Sequence, residues 1–477
     1  MKPHQIFAFL LIIASIVLGL ALLFPEKGIS IGNSLVLKFR YNSQTLAPQY
    51  ANIDSIINID ETIDTITTDT TANNVVTPTY IDTSATTKNA IQAKTQSVTT
   101  TNQPIEYHGD NPLIPFFKQL SHADKQLIRI IHYGDSQIEG DRITGYLRNL
   151  IQSKFGGSGP GLLPATPPVA QSSAIIHKAS NNWRTHSIYY KTDSDFKHRK
   201  FGIMGFFSQF TPQHAWIDFS PSGLAYKSVQ QFTQCNVFYS APRGSFSVKG
   251  YVDNELKWFE DIDSCQETKL FQWEFEKPPK HFRIELDGEV SPNIYAIMLN
   301  SKTGVAVDNL PFRGSRGTEF VKLDLAQMKQ MGHHLKTGLI IYQFGVNAVA
   351  YNSHNYKYYE DALQKQLKYL KRVWPQASIL VVSVSDMSEK MTNGFTTRPS
   401  VKKVIEAQRN AALSEGCAFW NLYEAMGGYN SMPSWVNSKL AQKDYTHFNR
   451  EGGHKIARML FNALIDEYNK YSLSTIE

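Results

Sequence analysis

Strand and helix patterns alternate along most of the second half of this 477-residue chain, but between about 160 and 301 the helical period is missing. Short aromatic and β-branched runs take its place, among them Trp216-Ile217-Asp218-Phe219 and Cys235-Asn236-Val237-Phe238-Tyr239, with others over 244–252, 270–275, 281–286 and 293–299. Runs of this length between turn residues predict a β-sandwich. On the N-terminal side, a strand over 128–133 precedes a helix over 141–155, whose Ile143, Tyr146, Leu147, Leu150 and Ile151 recur at i, i+3, i+4. On the C-terminal side the pattern predicts strands over 303–309, 338–344, 378–385 and 418–422, alternating with helices over 318–331, 356–374, 400–415 and 452–468. Alternation of this kind implies a parallel sheet with helices on both faces. The two patterns are compatible if the sandwich is inserted between the first helix and the second strand of that sheet, which requires its two ends to lie close together.

The N-terminus reads differently. Ile6 to Phe24 is an uncharged apolar run of 19 residues behind Met-Lys-Pro-His-Gln, long enough to span a bilayer. It ends in Leu22-Leu23-Phe24-Pro25-Glu26 instead of a small-x-small cleavage site, so an uncleaved signal anchor over 1–27 is expected, with the bulk of the chain on the periplasmic side of an inner membrane. The stretch 28–107 is rich in Thr, Asn, Asp and Ser with no sustained apolar period, the composition of a disordered linker. Sixty such residues span roughly 40 Å, enough to reach from the membrane towards a cell wall. The expected organisation is therefore anchor (1–27), linker (28–107), first part of the α/β core (108–159), inserted sandwich (160–301) and second part of the core (302–477).

Three segments carry chemistry. Gly134-Asp135-Ser136 stands where the first strand of the sheet ends, the position at which open α/β sheets place ligands. A serine hydroxyl becomes a nucleophile only when a base takes its proton. Asp444-Tyr445-Thr446-His447 supplies an imidazole with a carboxylate three residues away, a spacing that lets the acid hold Nδ1–H while Nε2 faces the serine. Gly345-Val346-Asn347 follows a later strand, and the Asn347 amide suits an oxyanion, which needs preorganised donors.

These residues resemble the SGNH (GDSL) hydrolase superfamily, whose blocks are a Gly-Asp-Ser, a glycine after the second strand, a Gly-x-Asn and a late Asp-x-x-His. The resemblance covers about 126–156 and 302–470. It implies a flavodoxin-like three-layer α/β core, with Ser136 as nucleophile, His447 and Asp444 completing a catalytic triad, and an oxyanion hole formed by the N–H groups of Ser136 and Gly314 and the side chain of Asn347. Gly314 departs from the family pattern, because its block reads Asn309-Leu310-Pro311-Phe312-Arg313-Gly314, and the earlier Gly157/Gly159 loop competes for the role. A sandwich inserted after the first helix is similar to the bacterial peptidoglycan O-acetylesterases, in which a carbohydrate-binding-module-like domain interrupts the core. That likeness implies an O-acetylated glycan substrate and an acetyl-enzyme intermediate. The same triad would serve an O-acetyltransferase with a sugar hydroxyl as acceptor, partnered by a membrane-bound O-acyltransferase, and an inactive core would leave a tethered glycan-binding protein.

No cofactor or metal is implied, since no cysteine or histidine pair has ligand spacing. A net charge of +6 without a run of five Lys/Arg gives no reason to expect nucleic acid. Cys235 and Cys265 share the β-rich region, where pairing depends on geometry. Trp216, Trp258 and Trp273 are either sugar-stacking platforms or sandwich core.

Overall fold

In a computed structural model the described residues are 29–31, 35–37 and 100–474, the latter without 169–171, 190–195, 212, 351–354 and 393. Residues 1–90 and 91–477 form separate units. In the first, Ile29–Ile31 and Leu35–Leu37 pair as an antiparallel hairpin. The expected anchor lies outside the described residues, among which no helix is long and apolar enough to cross a membrane.

The second unit is a mixed α/β structure. Its central sheet consists of β1 (Ile105–Glu106), β2 (Leu127–Gly134), β3 (Gly304–Pro311), β4 (Thr337–Gln343), β5 (Ser378–Val382) and β6 (Ala418–Trp420), in the order β3-β2-β4-β5-β6-β1. All neighbours are parallel except β1, which runs antiparallel to β6. The sheet is buried on both faces because its strands are apolar at successive positions, which point to opposite sides. Ile128, Ile130, Val305, Val307, Leu339, Ile341, Leu380 and Val382 pack with α1 (Ile114–Leu120), α2 (Thr144–Phe155) and the C-terminal helix Arg450–Ser474. Ile131, Tyr133, Leu310, Ile340, Tyr342, Ile379 and Val381 face the other way, towards α3 (Leu325–Leu335), α4 (Lys357–Val373) and α5 (Val401–Ser414). In α4 the buried Tyr359, Leu363, Leu367 and Leu370 recur every three or four residues. Each such side chain taken out of water contributes roughly 2 kcal/mol.

Between α2 and β3 the chain builds two antiparallel sheets. One contains Gly161–Leu163, Trp183–Ser187, Phe206–Phe210, Gln234–Ala241, Cys265–Glu274 and Asn293–Asn300; the other contains Ile175–Ala179, His214–Pro221, Phe246–Val252, Glu255–Ile262 and Phe282–Asp287. Their inner faces share one apolar core, with Val237, Trp273 and Ile297 from the first sheet against Ile217, Val248 and Ile284 from the second. The outer face of the first sheet is also occupied: Phe207, Phe238, Tyr295 and Met298 pack with Met331 and Leu335 of α3.

The insert is bound tightly at its root. A Cβ on Gly157 would lie 2.3 Å from the Val305 nitrogen, and one on Gly159 would lie 2.2 Å from the Leu299 oxygen. The chain leaving α2 therefore lies directly on the backbone that returns to β3. Beneath it the buried Arg129 donates to Asp308 at 2.6 Å and to Asn300 at 2.9 Å, and Asp308 also accepts the Leu162 N–H at 2.9 Å.

Several sequence expectations need correction. The linker cannot extend to 107, because Ile105–Glu106 pairs with Phe419 and Trp420, and the Trp420 indole donates to the Gln103 carbonyl; nor is its start featureless, since Ile29–Ile31 and Leu35–Leu37 are strands. Strands of two or three residues are too short to produce a period. The helix expected over 318–331 is a 3₁₀ turn, Phe320–Lys322, followed by α3, whose N-cap Asp324 accepts the Gln327 N–H. Trp273 is core, 1% exposed and stacked on Trp258 at 5.3 Å, while half-buried Trp216 lies under the Arg283 guanidinium at 4.7 Å. Cys235 pairs in register with Trp273 and Cys265 with Ala241, at opposite ends of the same strand pair, and all three cysteines are free.

Candidate active site

Strands β3, β2 and β4 end level with one another: Pro311 and Gln343 both lie opposite Gly134. Gly134 has no alternative here, since a Cβ would meet the Gln343 oxygen at 2.8 Å. The chain then turns into a 3₁₀ helix, Ser136–Asp141, capped by Asp135, whose Oδ1 accepts the Gln137 N–H at 3.0 Å. Asp135 Oδ2 accepts the N–H groups of Gly345 at 3.1 Å and Val346 at 3.3 Å. Burial pushes the Asp135 carboxyl up to about 6 against these hydrogen bonds. It shapes the loop below the serine and makes no contact with the reacting hydroxyl.

The Ser136 hydroxyl lies 2.8 Å from His447 Nε2, and His447 Nδ1 lies 2.7 Å from Asp444 Oδ2. Asp444 Oδ1 also accepts the backbone N–H groups of Thr446 and His447, each at 3.0 Å. Partial burial alone would raise the Asp444 carboxyl, but the hydrogen bonds from His447 and Thr446 hold it below the usual carboxylate value. An ionised Asp444 fixes the proton on Nδ1, which leaves Nε2 as the acceptor facing the serine. This arrangement can take a proton from the hydroxyl and return it to a leaving group.

Gly314 and Asn347 follow the two strands that flank β2, so they approach the serine turn from either side. The Asn347 amide donates to the Ser315 carbonyl at 2.9 Å, tying the two loops together, and has a second N–H to offer. Among the described residues, neither the Ser136 nor the Gly314 backbone N–H has a hydrogen-bond partner. The competing glycines lie elsewhere. Gly157 sits on Val305, at the start of β3 and roughly 20 Å along the strand from Pro311. That loop is shaped for close packing against the core and does not reach the serine.

Two further residues were not legible as site residues from the sequence. Gln137 is 2% exposed; its Nε2 donates to the Thr446 carbonyl at 2.7 Å and to Ser385 Oγ at 3.1 Å, while its Oε1 accepts the Phe448 N–H at 3.3 Å. It therefore grips the backbone on both sides of His447. Arg142 donates to the carbonyls of Ser136 at 2.9 Å and Gln137 at 3.2 Å. Its neighbour Asp141 instead forms a buried two-point pair with Arg148 at 2.9 and 3.0 Å. The only available signal was proximity in sequence to Ser136. His132 is a satisfied core histidine, bonded to Gln343 at 3.0 Å and Thr144 at 2.9 Å, and burial pushes it down to about 4.

No protein-family model and no curated protein sequence matches this chain. Solved structures do. A family two carbohydrate esterase from Cellvibrio japonicus is 8% identical, covering 62% of this chain and 99% of that one, with a TM-score of 0.26. A carbohydrate esterase family 3 structure from Talaromyces cellulolyticus is 14% identical, covering 34% and 72%, with a TM-score of 0.27. Scores that low carry no argument about fold. A peptidoglycan O-acetylesterase is 20% identical over 77% of this chain and 99% of that chain, with a TM-score of 0.64, and it is this fold that the present chain shares.

Proposed function

We propose that the protein is a serine esterase of SGNH type that removes O-acetyl groups from peptidoglycan or another envelope polysaccharide. The observation that carries this reading is the relay from Ser136 through His447 to Asp444, with contacts of 2.8 and 2.7 Å, at the carboxyl end of the central parallel strands. A fold shared with a peptidoglycan O-acetylesterase supports the glycan substrate.

In this mechanism Ser136 Oγ attacks the acetyl carbonyl as its proton passes to His447 Nε2. Asp444 stabilises the imidazolium that results. The oxyanion is received by the Ser136 and Gly314 N–H groups and the free N–H of Asn347, donors worth about 3 kcal/mol each when aimed at the developing charge. Collapse expels the sugar oxygen, which takes the proton from His447 and leaves an acetyl group on Ser136. Water, deprotonated by His447, then releases acetate. An anchor at residues 6–24 would place this chemistry in the periplasm.

The test is acetate release from O-acetylated peptidoglycan, compared with acetylated xylan and a short chromogenic acetate ester. Wild-type protein should act on the peptidoglycan and be labelled by a serine-reactive fluorophosphonate, whereas Ser136→Ala should do neither. A wild type that neither turns over any ester nor takes the label would refute the reading.

A further inference from the structure

Tyr445 lies between Asp444 and His447, with φ of +56°, a left-handed conformation uncommon for a residue with a side chain. What holds it is an antiparallel hairpin, Ser388–Met391 with Gly394–Thr397. The Ser388 N–H donates to the Tyr445 carbonyl at 3.0 Å, and the Phe395 ring stacks on the Tyr445 ring with centroids 3.5 Å apart and planes 8° from parallel. The hairpin is fixed from below by Asp386, a fully buried carboxylate that accepts Thr397 Oγ1 at 2.8 Å and the Met432 N–H at 2.8 Å. Phe395 nevertheless remains 36% exposed. In the hairpin register Lys390 pairs with Phe395, so an exposed ammonium and the ring project from the same face.

An exposed phenyl ring, backed by a partly buried tyrosine two residues from the reacting histidine and flanked by a hydrogen-bond donor, suits a ligand with one apolar face and a polar rim. A pyranose ring has this character: its axial C–H groups form the face and its hydroxyls the rim. An acyl chain would leave the Lys390 ammonium unused, and a flat apolar protein partner would leave it desolvated. We propose that Phe395, backed by Tyr445, forms a sugar-stacking subsite beside the triad, with Lys390 directed at the hydroxyls of the same ring. The subsite binds a residue of the glycan chain next to the one carrying the ester. This inference rests on the esterase reading above and adds to it where the polymer lies.

The experiment uses the full chain and two substrates, O-acetylated peptidoglycan and a short chromogenic acetate ester, and reads the ratio of their kcat/KM values. Phe395→Leu keeps an apolar side chain against Tyr445 but removes the flat ring; Phe395→Trp keeps a ring. The expected result is a ratio about tenfold lower for Phe395→Leu, equivalent to one lost stacking contact, and a ratio within about twofold of wild type for Phe395→Trp. An unchanged ratio in Phe395→Leu, or an equal loss in both variants, would overturn the subsite. Lack of turnover of either ester by wild type, with no fluorophosphonate labelling, would instead refute the esterase reading, so the two failures are distinct.

Discussion

Replacement of Gln137 by methionine separates the scaffold of the site from its chemistry. Methionine matches glutamine in length and fills the same buried space, but it can neither donate to Thr446 and Ser385 nor accept from Phe448. At roughly 1 kcal/mol net for each neutral hydrogen bond, the three amount to about 3 kcal/mol. Two of them hold the residues on either side of His447. If about half of the loss falls on that segment, His447 spends less time within reach of Ser136, and kcat on the short ester falls about tenfold, as 1.4 kcal/mol dictates. KM should stay within about twofold, because no contact with a small substrate is removed. Steady-state kinetics and a thermal melt on the same preparation test the argument. A melting temperature about 4 °C lower with kcat unchanged would refute it, since Gln137 would then hold the fold together without positioning the imidazole.

Four other outcomes are expected. Ser136→Ala should lower kcat by about 10³-fold or more, with little change in melting temperature, because the lost 2.8 Å contact is to a half-exposed imidazole. Asp444→Asn presents an N–H to His447 Nδ1, which forces the proton onto Nε2, so kcat should fall about 10²- to 10⁴-fold with KM unchanged. His132, held at about 4 in the folded state against about 6.5 unfolded, contributes stability that is complete above pH 6.5 and lost as the pH falls towards 4. Urea unfolding of His132→Asn across that window should therefore show a slope flatter by about 1.4 kcal/mol per pH unit, and an unchanged slope would show that His132 is not the group responsible. Asp308→Ala leaves Arg129 charged and buried, and should cost about 3–5 kcal/mol in denaturant unfolding.

The central sheet was legible in the sequence because its strands repeat an apolar pattern on both faces and its helices keep their period; Ile128, Ile340 and Leu367 each sit where that pattern places them. Ser136, His447 and Asp444 could be expected to meet because a serine, a histidine and an aspartate at such spacings have few structural uses together. Gln137 could not, since a glutamine beside a serine has no distinctive pattern until distant backbone closes around it. The same holds for Phe395: its hairpin is four residues a side, with exposed Met391 and Lys390 on one strand, and its importance comes only from Tyr445 arriving from fifty residues later in the chain. Trp273 shows the converse case, a tryptophan that the sequence leaves open as a sugar platform and that fills the core beneath Gly250, where a Cβ would lie 3.0 Å from its ring.

Gly157 and Gly159, seated on the backbone of Val305 and Leu299, make the sandwich inseparable from the sheet beneath it. A module joined by a pliable stalk could be excised, exchanged or left to swing. Here the crossing chains touch main chain to main chain, and Phe207, Tyr295 and Met331 lie in one shared apolar layer. Deleting residues 160–301 would therefore uncover one face of the α/β core, and the remainder should precipitate instead of persisting as a smaller folded protein. Change in such a chain would have to proceed through its loops, with both halves kept as one cooperative body.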